Sequence, residues 1–192
     1  MATPANAIVV NQPLTVSARI GAYLELTKPR ITFMVVLSAL AGFCMASKGS
    51  INWMLFLHFA VGVSLLTSGT STLNQFLERE SDKLMRRTMR RPLPAGKLSS
   101  VSALLFGLGS ALMGEAYLAL VVNPLTAWLG LAALVSYVLM YTPLKQRTTL
   151  CTAIGAFPGA LPPLLGWAAA SNELAIGGAV MFAILFLWQF PH

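Results

Sequence analysis

Charge is scarce in this 192-residue chain: Asp, Glu, Lys and Arg make up only 10% of it, while 56% is hydrophobic. Soluble domains carry roughly 25% charged residues, so the chain lacks the side chains to clothe a water-facing surface. Cysteine is nearly absent as well. Cys44 and Cys151 fall in different apolar segments and at opposite membrane depths in the topology below, which argues against a disulfide, and no CxxC or Cys/His metal spacing occurs. The first 18 residues hold no Lys or Arg and no continuous apolar run. They do not match a secretory signal and are read as a loose, flexible tail. The formal net charge of +7 is not spread over a water-exposed basic module, which sets aside nucleic-acid binding.

What the sequence has in abundance is long charge-free runs. A hydrocarbon core of roughly 30 Å takes about 20 apolar residues per helix, and the runs resolve into six expected spans near 31–48, 52–76, 98–121, 124–143, 151–170 and 174–192. The expected fold is all-α, a polytopic membrane helical bundle. With the N-terminus in the cytoplasm, 12 of the 13 Lys and Arg residues lie on one side and only Lys48 on the other. That is the asymmetry of the positive-inside rule. The outer turns are short, whereas the loop from Glu78 to Lys97 is about 20 residues long and charge-dense, so function is expected at the cytoplasmic face.

The second span runs into Asn74, Glu78 and Asp82, spaced by four. If the helix persists, they share one face at the boundary, one turn beyond Thr70. Mg²⁺ typically takes one or two carboxylates and completes its shell with water and phosphate oxygens, which suits Glu78 and Asp82; a solvated helix end is the competing reading. Lys83, Arg86, Arg87, Arg90 and Arg91 follow. Such a run commonly faces anionic lipid, yet Arg87 and Arg91 repeat at helical spacing and suit phosphate oxygens. Tyr137, Tyr141 and Lys145 repeat the four-residue spacing at the end of the fourth span, as phosphate donors or as an aromatic belt with a snorkelling lysine. The fifth span carries Gly155, Pro158, Gly159, Pro162 and Pro163. Backbone broken at that depth must line a cavity, unless small residues are there for close packing. His58 reads as a packed neutral histidine, and Glu115 lies near the outer surface.

Together these features resemble the UbiA superfamily of intramembrane prenyltransferases, whose first acidic motif has the form N-D-x-x-D-x-x-x-D. Here that frame runs from Asn74 to Asp82, with Gln75 and Glu78 replacing aspartates. The variant is similar to one branch, the protoheme IX farnesyltransferases or heme O synthases. The likeness continues through Leu26-Thr27-Lys28-Pro29-Arg30, Met85-Arg86-Arg87-Thr88 with Arg91-Pro92-Leu93-Pro94, Tyr141-Thr142-Pro143-Leu144-Lys145, Pro158-Gly159-Ala160-Leu161-Pro162-Pro163 and Trp188-Gln189-Phe190-Pro191-His192.

The resemblance implies transfer of a farnesyl group from farnesyl diphosphate to a vinyl group of heme B, giving heme O. It implies Mg²⁺ at Glu78 and Asp82, Asn74 at the same site, and diphosphate contacts from Arg87, Arg91, Tyr141 and Lys145, with Lys28 and Arg30 as further candidates. His192 stands at a position that could contact heme. The implied setting is a bacterial inner membrane, with membrane lipid, heme A synthase or a terminal oxidase assembly as partners. Relatives of this kind have about nine helices and a second acidic region. Residues 19–192 are therefore expected to be an incomplete membrane domain, inactive alone. Two other readings are a prenyltransferase acting on an aromatic acid of the 4-hydroxybenzoate type and a small transporter or membrane scaffold.

Overall fold

The computed structural model describes residues 15–145, 148 and 150–191; the expected tail at positions 1–14, Arg147 and His192 lie outside them. Among the described residues every regular element is helical: α1 (Val16–Leu26), α2 (Pro29–Ala46), α3 (Trp53–Lys83), α4 (Ser100–Tyr117), α5 (Pro124–Val135), α6 (Thr142–Leu144), α7 (Cys151–Ser171) and α8 (Ile176–Trp188). π-helical turns at Leu118–Val122 and Ser136–Tyr141 extend α4 and join α5 to α6. Among the described residues five stretches are long and apolar enough to cross a bilayer: Pro29–Ala46, Trp53–Lys83, Ser100–Val122, Pro124–Leu144 and Cys151–Ser171. The sixth expected span is a shorter helix of 13 residues, α8. Large apolar side chains such as Leu37, Leu105, Leu112 and Ile184 point outward, which suits lipid and not water.

α3 persists to Lys83, seven residues past the boundary drawn at 76, and so carries the acidic frame as one continuous helical face. α1 is a helix the sequence did not announce. Thr15 caps it by accepting from the Ala18 amide at 3.3 Å, and its buried Ala22 and Leu26 pack with Leu93, Leu98 and Ala103 into a small second core. The charged loop of residues 84–99, a succession of turns, is thereby held beneath the end of α3.

The spans pack through glycine. At Gly42 of α2 an added Cβ would strike the Pro163 carbonyl of α7, and at Gly166 of α7 it would strike the Ala39 carbonyl of α2. The two backbones therefore touch where they cross, as small residues permit in membranes. α3 and α4 do the same at Gly69 against Ala111 and at Gly114 against Leu66. The core between them gathers Phe43, Phe59, Val63, Leu66, Leu118, Leu161 and Leu165.

α7 corrects one expectation, because it runs unbroken through Pro158, Pro162 and Pro163. Each proline removes one backbone hydrogen bond, and the helix absorbs the loss within α7's close packing. Both readings of its small residues hold, on different faces. Pro163 and Gly166 meet α2, while Gly155, Ala156, Pro158, Gly159 and Pro162 line an internal cavity. In the half of the bundle away from the end of α3, His58 Nδ1 lies 2.7 Å from the Tyr117 hydroxyl, and Asn123 caps α5 through the Thr126 amide while donating to the Ala168 carbonyl of α7 at 3.0 Å.

Candidate functional site

The inner face of α3 changes chemistry along its length. Val63 and Leu66 come first, then Thr67, Thr70 and Ser71 on the cavity wall, then Asn74, Glu78 and Asp82, which are 2%, 7% and 4% exposed. Burying two carboxylates and an amide is costly unless each finds partners, and each does. Lys145 Nζ lies 3.3 Å from Glu78 Oε1, and Arg91 Nη1 lies 2.7 Å from Asp82 Oδ2. Asn74 accepts from Lys28 Nζ at 2.9 Å through Oδ1 and donates from Nδ2 to the Thr142 hydroxyl at 3.2 Å. Four segments thus converge on one helix end: the α1–α2 junction, α3, the 84–99 loop, and the α6 terminus.

Local structure explains how each cation arrives. Lys28 has φ of 48° and ψ of 65°, a left-handed conformation rare for lysine, which turns the chain sharply between α1 and Pro29 at the start of α2. Strain of this kind, about 1 to 2 kcal/mol, persists where the surroundings hold it; here the Lys28–Asn74 bond does so. Arg91 is delivered by a chain of turns. Thr88, buried, donates its hydroxyl to the Asp82 carbonyl at 2.9 Å and accepts the Arg91 amide at 3.0 Å. Lys145 follows the π-helical turn and α6, whose Thr142 hydroxyl donates back to the Tyr137 carbonyl at 2.8 Å. The Tyr137 and Tyr141 rings are stacked at 5.4 Å. Lys145 Nζ stands 6.0 Å from the Tyr141 ring centre, the outer limit of cation–π attraction.

Electrostatics mark Lys28 out. Burial first, then the neighbouring Arg91 guanidinium, pull its ammonium down from 10.5 to about 8, with Glu78 and Asp82 opposing. An arriving dianion favours the protonated lysine and raises that value again. Binding of a diphosphate above pH 8 should therefore draw a proton from solvent, and affinity should fall as pH rises through 8. Calorimetry at pH 8.5 in buffers of different ionisation enthalpy should reveal that uptake, at most about three quarters of a proton for a lysine titrating at about 8. Lys28→Arg, which stays charged, should abolish it.

The donor set also limits the metal chemistry. Among the described residues no group of three or more His, Cys, Asp or Glu gathers. Two carboxylates, each with one oxygen in an ion pair, fit a Mg²⁺ ion that completes its shell with phosphate oxygens and water.

Behind the polar cluster lies a cavity of about 560 Å³ between α2, α3, α5 and α7, with Tyr137, Tyr141 and Gln189 on its wall. Gly155 makes room for the Tyr141 ring. Of the residues singled out from sequence, Lys28, Asn74, Glu78, Asp82, Arg91 and Lys145 come together, with Tyr141 between cluster and cavity. Arg30 lies elsewhere, on an outward groove between α2 and α7. Arg87 is exposed and no described contact ties it to the cluster; the helical spacing it was read from does not exist, because α3 ends at Lys83.

The family model for UbiA prenyltransferases matches residues 35–192. The chain belongs to the UbiA prenyltransferase family. Among its relatives, the protoheme IX farnesyltransferase of Solibacter usitatus is 46% identical over 179 residues, covering 88% of this chain and 61% of the relative. That of Koribacter versatilis is 44% identical over 192 residues, covering 95% and 62%, and that of Myxococcus xanthus 46% identical over 171 residues, covering 88% and 57%. The chain thus spans about three fifths of the length of these relatives.

The UbiA fold is also found by structure. A digeranylgeranylglyceryl phosphate synthase superposes with a TM-score of 0.80 at 18% identity, covering 89% of this chain and 60% of that one. A UbiA homolog from Archaeoglobus fulgidus bound to DMAPP and Mg²⁺ superposes with a TM-score of 0.71 at 18% identity, covering 88% and 62%. Apolar helices and family together make this UbiA chain an integral membrane protein.

Four residues of the cluster and cavity went unassigned from sequence. Thr88 and Thr142 sit inside the quoted motifs, and their roles depend on turns that spacing does not show. Gln75, replacing an aspartate of the UbiA frame, donates to the Leu26 carbonyl at 2.8 Å and ties α3 to the end of α1. Gln189 donates to the Ala156 carbonyl at 3.1 Å, fastening the end of α8 to the cavity wall.

Proposed function

We propose that the chain supplies the donor site for Mg²⁺-dependent transfer of a farnesyl group from farnesyl diphosphate to a vinyl carbon of heme B, giving heme O, at the cytoplasmic face of a bacterial inner membrane. The observation that carries the reading is a set of two buried carboxylates and a buried amide, each paired with one of three partly exposed cations, at the mouth of an apolar cavity. Support for the acceptor comes from relatives at 44–46% identity that carry the name protoheme IX farnesyltransferase.

In this reading Glu78 and Asp82 hold Mg²⁺, which when bound offsets the charge that develops on the departing diphosphate. Arg91, Lys145 and Lys28 stand where the same charge appears and bind the diphosphate oxygens more tightly as the bond between the farnesyl C1 and oxygen breaks. Thr88 and Thr142 keep Arg91 and Asn74 in place, so little reorganisation accompanies the step. The allylic cation left behind faces the Tyr141 and Tyr137 rings. The vinyl carbon adds its electron pair to C1, and water captures the resulting cation and loses a proton, giving the hydroxyethylfarnesyl side chain. The walls of α2, α5 and α7 keep water from the first cation.

The nearest alternative acceptor is an aromatic acid such as 4-hydroxybenzoate. Titrating the purified chain, loaded with Mg²⁺ and farnesyl thiodiphosphate, with heme B should shift the heme Soret band saturably, whereas 4-hydroxybenzoate should release no heat in calorimetry. Saturable binding of the aromatic acid with none of heme B would transfer the assignment to that substrate class.

A further inference from the structure

We infer that Val63 and Leu66 of α3, with Leu165 of α7, form a fixed floor that limits the isoprenoid tail to the length of a farnesyl group. The inference rests on the prenyl diphosphate reading above and concerns what selects among such donors. Three observations carry it.

First, α3 offers one continuous template for an amphiphile, with carboxylates and amide at one end, hydroxyls at Thr70 and Ser71 in the middle, and hydrocarbon at Leu66 and Val63. Val63 precedes Asn74 by 11 residues, about 16 Å along the helix at 1.5 Å per residue. That reach accommodates the extended main chain of a farnesyl group and falls short of one further isoprene unit.

Second, the floor is solid. Val63, Leu66 and Leu165 are all buried. Behind Leu66 the α3 and α4 backbones touch at Gly114, so an added Cβ there would strike the Leu66 amide. Gly62, next to Val63, would place its Cβ 2.6 Å from Leu118 Cδ2. Leu66 is thus backed by backbone that cannot retreat to admit a longer tail, and Val63 by the buried Leu118 side chain.

Third, the α5 wall is packed directly against the floor at Gly130, where an added Cβ would lie 2.8 Å from Leu66 Cδ2 and 3.1 Å from Glu115 Oε2. The width of the cavity at that depth is therefore set by the same leucine that closes it.

The test is equilibrium binding of dimethylallyl, geranyl, farnesyl and geranylgeranyl thiodiphosphates to the purified chain with Mg²⁺. Affinity should climb through farnesyl and gain nothing with geranylgeranyl. Val63→Phe should weaken farnesyl binding about tenfold or more while leaving geranyl within about twofold, a size of discrimination that apolar pockets achieve; intact geranyl binding shows that the variant is folded. Leu66→Ala should raise the ratio of geranylgeranyl to farnesyl affinity about fivefold or more. A uniform loss across all lengths in Val63→Phe, an unchanged profile, or an unaltered ratio in Leu66→Ala would overturn the inference while leaving the donor class standing. Failure of the unmodified chain to bind any of the four would remove the prenyl diphosphate reading itself.

Discussion

Asp82→Asn is expected to weaken Mg²⁺-dependent binding of farnesyl thiodiphosphate at least about 100-fold, equivalent to about 2.7 kcal/mol. The substitution keeps the shape of the side chain and removes only its charge. Two losses compound. A metal ion shared with diphosphate oxygens would lose one of two protein carboxylates, and Arg91 would lose the partner that fixes it 2.7 Å away. Removing one member of a buried pair leaves the other charge uncompensated, an effect of about 3 to 5 kcal/mol where desolvation is complete; Arg91 is a quarter exposed, so the lower end applies. Glu80→Gln is the control. Glu80 is two-thirds exposed and pairs with Lys83 outside the cluster, so its loss should change affinity less than about twofold. Equal losses in the two variants would mean that only overall charge matters. Unchanged binding in Asp82→Asn would favour an ion path over a diphosphate site.

Gly166→Val should lower the thermal unfolding midpoint more than a comparable change at any lipid-facing glycine. A Cβ at position 166 meets the Ala39 carbonyl and lies 2.7 Å from the Phe43 amide, both backbone atoms that no rotamer change can move. Overpacking a core costs about 1 to 3 kcal/mol where side chains can yield; here two helices must separate, so the cost lies at or beyond the top of that range. The cavity should suffer with the fold, because Ile31 and Val35 of α2 face Pro158 and Pro162 of α7 across it. Gly109→Val, where nothing lies within 4 Å of the added Cβ, should stay within about 0.5 kcal/mol. Differential scanning fluorimetry in detergent distinguishes the two. Similar midpoints would show that the α2–α7 crossing is looser than its glycines indicate.

Much of this arrangement was legible from residue spacing because the relevant geometry is local. Asn74, Glu78 and Asp82 share a face since a helix places every fourth residue on one side, and α3 continues to Lys83. Lys145 and Tyr141 follow the same rule on a different helix, although the π-helical turn at Ser136–Tyr141 was invisible to it. The rule failed where the helix stopped. Arg87 and Arg91 are four apart, yet they lie in a turn-rich loop, and only Arg91 reaches an acid because Thr88 folds the loop back onto Asp82. α1 was missed for a related reason. Its buried face is only Ala22 and Leu26, and it is completed by Leu93 and Leu98 from a loop some 70 residues away, a pairing no local pattern records. The prolines of α7 signalled a break that packing prevented.

The central claim is that Glu78 and Asp82 hold a divalent ion against the diphosphate of a prenyl donor. Mn²⁺ accepts the same oxygen donors as Mg²⁺ and is paramagnetic, so electron–nuclear double resonance of the purified chain with Mn²⁺ and farnesyl thiodiphosphate reads that contact directly. The expected result is phosphorus hyperfine coupling in the unmodified chain and its disappearance in the Glu78→Gln, Asp82→Asn double variant. Coupling that persists in the double variant, or none in the unmodified chain, would contradict the account.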